Sequence, residues 1–131
     1  MEPEVVISFI EHPSFTREIS KFNKKYDGGL GYKSLRRLLS LQFHPTARQT
    51  VLTPKVLRRI DKLGANVQVY KVIMRVKGLS SGQSPRVCFR FVGNLISFLC
   101  FGSHINNYKG DELRAVIKKR VVELDPEVQL L

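Results

Sequence analysis

The stretch Pro85–His104 (PRVCFRFVGNLISFLCFGSH) constrains the fold of this chain more than any other part of the sequence. Two largely apolar runs flank Gly93-Asn94, and a glycine at the first central position is typical of a type II′ turn in a β-hairpin. This turn predicts a register with four facing pairs. They are Val92 with Leu95, Arg90 with Ser97, Cys88 with Leu99, and Arg86 with Phe101.

The predicted register divides the hairpin into an apolar face and a mixed face, because successive side chains of a strand point to opposite sides. The apolar face holds Val87, Phe89, Phe91, Ile96, Phe98 and Cys100. The mixed face holds Arg86, Cys88, Arg90, Ser97, Leu99 and Phe101. A shift by one residue would bury both arginines, so the register is strongly specified and function is expected on the mixed face. The two cysteines, predicted on opposite faces, should not form a disulfide.

The charge of the chain indicates a polyanionic partner. Lys and Arg number 22 against 11 Asp and Glu, which gives a net charge of +11. Between Gly28 and Gly110 the sequence has fourteen Lys or Arg and a single acid, Asp61. Such an imbalance predicts a surface for nucleic acid or the ribosome. Two cysteines and three scattered histidines match no metal spacing, so neither a metal nor another cofactor is expected.

The length of 131 residues predicts one domain spanning 1–131. Apolar periodicity predicts the element order β, α, α, α, β, β, β, α. The three helices before the hairpin are expected between His12 and Asp27, over Tyr32–Gln42, and over Thr53–Gly64. A long strand is expected over Val67–Lys77. The predicted fold is α+β, with a small antiparallel meander sheet, helices packed on one face, and a first strand (Val5–Ile10) at the edge or the centre.

The sequence offers no membrane or secretion signal. No apolar run reaches transmembrane length, and Met1-Glu2-Pro3-Glu4 is acidic where a signal peptide would be basic. A cytoplasmic protein without a membrane partner is therefore expected.

The mixed face of the predicted sheet gathers cations without a carboxylate among them. One strand is expected to supply Lys71, Arg75 and Lys77, its neighbour Arg86 and Arg90, and the loop after the hairpin His104, Tyr108 and Lys109. This cluster lacks the oxygen ligands of a two-metal nuclease and the carboxylate pair of many hydrolases. It can bind phosphate and stabilise negative charge that develops on phosphorus. Metal-free RNA cleavage is consistent with it, because the RNA supplies its own 2′-OH nucleophile and the protein need only transfer protons.

The segment Val69–Arg120 resembles the RelE/ParE superfamily of bacterial toxins, nearest to its HigB-like, phage-derived branch. The resemblance rests on the succession VYKVIMRVKG, PRVCFRFVGN and LISFLCFGSH, followed by DELRAVIKKR. The upstream helices extend it over most of the chain. Two features depart from the family: Ser103-His104 replaces a common Lys-Lys pair, and Thr46–Gly64 is an extra segment.

The resemblance implies a RelE-like fold, a function and roles for individual residues. Many members are the toxins of type II toxin–antitoxin systems, which cleave mRNA in the ribosomal A site and are held inactive by an antitoxin protein. The catalytic residues implied by position are Arg86 at the scissile phosphate, Lys77, His104 and Tyr108. The residues expected to bind RNA are Lys71, Arg75, Arg90 and Lys109.

Two other functions remain open on the sequence. A ParE-like toxin shares the fold but inhibits DNA gyrase and cuts no RNA, and a non-catalytic module would only bind RNA or the ribosome. The arginines could also form a solvated or ion-paired sheet face, and His104 could be a hydrogen-bonding loop residue.

Overall fold

The computed structural model describes residues 6–26, 29–64, 67–102 and 110–130. In chain order the elements are β1 (Ser8–Glu11), α1 (Pro13–Lys25), α2 (Leu30–Gln42), β2 (Leu57–Ile60), β3 (Val69–Ile73), β4 (Arg86–Val92), β5 (Leu95–Gly102) and α3 (Gly110–Leu124). These elements confirm the predicted α+β class. No helix within those ranges is both long and apolar enough to cross a membrane.

The strands form one five-stranded sheet in the order β1-β5-β4-β3-β2. Strands β2 to β5 form an antiparallel meander, which includes the three strands that the sequence predicts. Strand β1 lies at an edge and pairs in parallel with β5, with Ser8 opposite Leu95. The sheet is therefore mixed, and the prediction of a purely antiparallel sheet is wrong. The two helices after β1 carry the chain to the far edge at β2, and the meander then returns to β1.

The third predicted helix, Thr53–Gly64, is wrong beyond its first turn. Thr53 does begin a turn, because its carbonyl accepts hydrogen bonds from the Val56 and Leu57 N–H groups, both at 2.9 Å. The chain then extends as β2, and Leu57 pairs with Val72 of β3. A segment as short as Leu57–Ile60 can form a helix or a strand, so its pairing with β3 decides its structure.

The hairpin of β4 and β5 has the predicted turn. Gly93 has a φ of 60°, a left-handed conformation that glycine adopts without strain. The pairs beside the turn are those predicted, with Val92 opposite Leu95 and Arg90 opposite Ser97.

A β-bulge changes the register in the rest of the hairpin. Cys88 pairs with Cys100 instead of Leu99, because Leu99 is an extra residue in β5. Leu99 and Cys100 therefore pack on the same side of the sheet, and Phe101 packs on the other. The prediction that the two cysteines lie on opposite faces is wrong. The predicted pairing of Arg86 with Phe101 is wrong for the same reason.

Helices cover both faces of the sheet, whereas the sequence predicts helices on one face. Helices α1 and α2 pack on the predicted apolar face through Phe15, Ile19, Leu35 and Leu39. Helix α3 packs on the opposite face, where Ile117 and Val121 join a second buried cluster with Val69, Cys88, Leu99 and Cys100. The mixed face is thus partly a second core, because the bulge adds Cys100 beside Leu99 and α3 covers both.

Candidate nucleic-acid interface

Three strands bring cations together on the face that α3 partly covers. Arg58 of β2 pairs with Lys71 of β3, and Lys71 pairs with Cys88 of β4. Arg86 precedes Cys88 by two residues, so its side chain lies on the same side of β4. The alternation of side chains therefore places Arg58, Lys71 and Arg86 on one surface.

These cations line a groove of about 200 Å³, which we call the basic groove. Its lining residues are Lys55, Val56, Arg58, Lys71, Val72, Ile73 and Arg86. Four of them are cationic, and none of the described residues that line the groove is acidic. A concave surface of one charge sign focuses its potential and raises the local concentration of anions.

Backbone carbonyls orient the two arginines of the basic groove. Arg86 Nη1 donates hydrogen bonds to the carbonyl oxygens of Ser81 and Ser84. Arg58 Nε donates to the carbonyl oxygen of Pro54 at 3.2 Å. Because a guanidinium has five N–H donors, each arginine retains donors for a ligand after these contacts. The planar group is held in place before a phosphate arrives, which reduces the entropy lost on binding.

A second pocket of about 30 Å³ adjoins the basic groove and shares Lys71 and Arg86 with it. The other residues that line it are Cys88, Cys100, Phe101, Gly102 and Leu113. Strand β5 ends at Gly102, which itself lines this pocket. His104, Tyr108 and Lys109, predicted as catalytic or RNA-binding residues, lie in the segment 103–109, outside the described residues.

Arg90 lies on the mixed face of the sheet, as predicted, but it is not part of an open surface. Its side chain is 11% exposed, and Nη1 donates to Asp125 Oδ2 at 2.8 Å. Asp125 follows α3, which covers this end of the face. The prediction that Arg90 lies on an open face of the sheet is therefore wrong, because the C-terminal part of the chain covers it and supplies the carboxylate with which it pairs.

Arg75 and Lys77, predicted beside Lys71, do not line the basic groove. Both follow the end of β3 at Ile73, where the neighbouring Met74 and Val76 are buried in the core on the side of α1 and α2. Arg75 lines a different cavity of about 230 Å³ beside α2, together with Ser34, Leu38 and Leu52. Lys77 is exposed in the turn that follows and lines neither the basic groove nor its adjoining pocket.

Lys55 and Arg58 were not predicted for the site, because the sequence predicts a helix over Thr53–Gly64. Both line the basic groove because β2 pairs with β3 at this edge. The strand Leu57–Ile60 reads apolar, basic, basic, apolar, so it lacks the alternation that would have indicated a strand.

The described part of the basic groove can bind phosphate and stabilise negative charge, but it lacks a group suited to proton transfer near neutral pH. Neither of the two described histidines lines it. His12 caps α1 by accepting from the Ser14 N–H at 3.0 Å, and His44 Nδ1 accepts from the Ala47 N–H at 2.9 Å. A proton-transfer residue at this site would have to come from another part of the chain, such as the segment 103–109.

Comparison of the chain with protein-family models, curated proteins and solved structures finds no match. The resemblance of Val69–Arg120 to RelE/ParE toxins therefore stays a hypothesis, and the basic groove is interpreted through the chemistry of its residues.

Proposed function

We propose that this protein binds RNA through the basic groove and cleaves mRNA on the ribosome as the toxin of a type II toxin–antitoxin system. The observation that carries the proposal is the convergence of Lys55, Arg58, Lys71 and Arg86 on one concave surface. In a chain with a net charge of +11, such a surface suits a phosphodiester backbone. The proposal that the protein cleaves mRNA on the ribosome rests on the resemblance to RelE/ParE toxins, in which a strand arginine corresponds to Arg86.

In the proposed reaction the 2′-OH of the RNA attacks the adjacent phosphorus and the 5′-oxygen of the next nucleotide leaves. The protein removes the proton of the 2′-OH and donates a proton to the leaving oxygen. Arg86 and Lys71, which line both the groove and its adjoining pocket, stabilise the extra negative charge on the phosphorus. His104 and Tyr108 are the candidates for proton transfer, because the resemblance to RelE/ParE toxins places acid or base residues at their positions.

The partners proposed with this function are mRNA in the ribosomal A site and a cognate antitoxin protein. A toxin that cuts cellular mRNA requires an inhibitor, and the family resemblance supplies this expectation. A cationic groove of this kind is also a suitable surface for an acidic segment of an inhibitor.

The decisive experiment is cell-free translation of a defined mRNA, with mapping of 5′ ends in the presence and absence of ribosomes. We expect new 5′ ends only when ribosomes are present. Arg86→Ala should reduce cleavage at least about a hundredfold, because a positioned cation at a reacting phosphate contributes several kcal/mol. Arg59→Ala is the matched control, since Arg59 pairs with Tyr70 on the opposite face of the sheet.

Two other outcomes would identify the competing functions. Intact mRNA with blocked translation would favour a non-catalytic module that binds RNA or the ribosome. Intact mRNA with normal translation would contradict both RNA functions, and inhibition of gyrase supercoiling would then identify a ParE-like toxin.

A further inference from the structure

We propose that Cys88 and Cys100 form a peroxide-sensitive dithiol that oxidises to an intramolecular disulfide in the wall beside the basic groove. The proposal is independent of the function proposed above. It depends on the β-bulge, which brings together two cysteines that a regular hairpin would place on opposite faces of the sheet.

The two residues meet the geometric requirement for a disulfide. Cys88 and Cys100 are paired directly across β4 and β5. Residues that face one another in an antiparallel sheet have Cα atoms about 4.5–5.5 Å apart, within the range of about 4.4–6.8 Å found in disulfides. Both cysteines are reduced in the structure, and the two thiols are close enough for each to shift the pKa of the other. The bond can therefore form without a rearrangement of the backbone.

The surroundings make the two thiols chemically unequal. The hydrogen bond from Cys88 lowers the pKa of Cys100, and the nearby Arg120 guanidinium acts in the same direction. The same hydrogen bond, together with burial, raises the pKa of Cys88 well above its ordinary value. Cys100 is thus the more readily ionised thiol, which attacks the oxidant, and Cys88 is the thiol that completes the disulfide.

The size of the adjoining pocket selects the oxidant. Each cysteine is only 3% exposed, but both line the pocket of about 30 Å³ next to Lys71 and Arg86. A cavity of this size holds a molecule no larger than about one or two waters. Hydrogen peroxide fits this limit, whereas a tripeptide disulfide such as oxidised glutathione does not.

The reaction consists of two balanced steps. The Cys100 thiolate attacks one oxygen of hydrogen peroxide, the O–O bond breaks, and hydroxide leaves as Cys100 becomes a sulfenic acid. The Cys88 sulfur then attacks the Cys100 sulfur, the S–O bond breaks, and water leaves with the proton of Cys88. Two thiols and one peroxide yield one disulfide and two waters.

Mass spectrometry of the reduced, folded chain after treatment with hydrogen peroxide tests the proposal. The intact mass should fall by about 2 Da, the two hydrogens lost, and no disulfide should join two chains. A non-reducing peptide map should show Cys88 joined to Cys100. Dithiothreitol added in urea should restore the original mass.

Two alanine variants separate the roles of the two thiols. Cys88→Ala should accumulate a Cys100 sulfenic acid, detected as a gain of about 16 Da in the intact mass, and Cys100→Ala should react with peroxide at least about tenfold more slowly than the wild type. Circular dichroism before oxidation verifies that each variant is folded.

Three results would overturn the proposal. The first is equal peroxide reactivity of the two single variants. The second is a disulfide that forms only in urea, which would mean that the folded pocket excludes peroxide. The third is a disulfide between two chains.

Discussion

Arg90 and Asp125 form an ion pair across 35 residues, with Arg90 Nη1 donating to Asp125 Oδ2 at 2.8 Å. The guanidinium is almost buried, while the carboxylate is 42% exposed. Arg90 Nε has no hydrogen-bond partner among the described residues. The ion pair therefore satisfies a cation that would otherwise be left without compensation at the junction of β4 and the end of α3.

Asp125→Ala should destabilise the protein, because it leaves the Arg90 charge without its carboxylate. The free energy of unfolding should fall by about 1–3 kcal/mol, as measured by urea denaturation. Glu127→Ala removes the same charge from an exposed position two residues away. It should change the free energy of unfolding by less than about 0.5 kcal/mol. Equal effects of the two substitutions would mean that net charge, and not the ion pair, controls stability.

Arg58→Ala should weaken binding of a fluorescent single-stranded RNA about fivefold, because one phosphate contact is lost. For the same reason, the slope of log affinity against log salt concentration should become shallower by about 0.7. Arg59→Ala makes the same change in charge on the opposite face and should stay within about twofold of the wild type. Fluorescence anisotropy over a range of KCl concentrations measures both quantities. If the two variants bind equally weakly, affinity follows total charge and not the basic groove.

Ile117→Ala should reveal how much α3 contributes to stability through the second core. Ile117 is completely buried in the cluster with Leu99 and Cys100. Its truncation should lower the free energy of unfolding by about 2–5 kcal/mol. Val122 lies on the same helix but is 41% exposed, so Val122→Ala should cost less than about 1 kcal/mol. A small effect of Ile117→Ala would contradict the packing of α3 on this face.

Tyr32→Phe should remove one source of alkaline destabilisation. Burial, and then the hydrogen bond that its hydroxyl donates to Glu11 Oε2 at 2.7 Å, raise the pKa of Tyr32 well above its ordinary value. The folded state therefore keeps this proton at a pH where the unfolded chain releases it. The pKa of tyrosine in an unfolded chain is about 10. The stabilisation due to this proton is complete below that pH and is lost as the pH rises further.

Urea denaturation at pH 8, 10 and 11 measures this difference. At pH 8 the wild type should be about 1 kcal/mol more stable than Tyr32→Phe, because of the hydrogen bond. Between pH 10 and 11 this advantage should shrink by about 1 kcal/mol, since the other titrating groups are common to both proteins. An advantage that is constant from pH 8 to 11 would show that Tyr32 does not titrate differently in the two states.

Local chemistry explains the parts of the fold that the sequence predicted. The Gly93-Asn94 turn follows from the φ that glycine adopts, and the start of α1 follows from His12 and Pro13. The helix predicted after the hairpin is likewise present as α3, and its residues Ile117 and Val121 are buried. Each of these features depends on residues within a few positions of one another, so a single sequence contains the whole signal.

The candidate site was predicted only in part, because its composition depends on pairing between distant segments. Lys71 and Arg86 were expected together and do line one groove, whereas Arg75 and Lys77 follow the end of β3 and lie elsewhere. Thr53 begins a single turn, after which the chain extends as β2 and pairs with β3. This pairing places Arg58 in the groove.

The sequence by itself determined the turns, the caps, the periodicity of the helices and the excess of positive charge, since these follow from residue type and short-range spacing. The tertiary structure decided which face α3 covers, that Cys88 faces Cys100, and that Asp125 neutralises Arg90. The physical reason is that backbone hydrogen bonds and buried charges must find partners, and partners far along the chain become available only when the sheet and α3 come together.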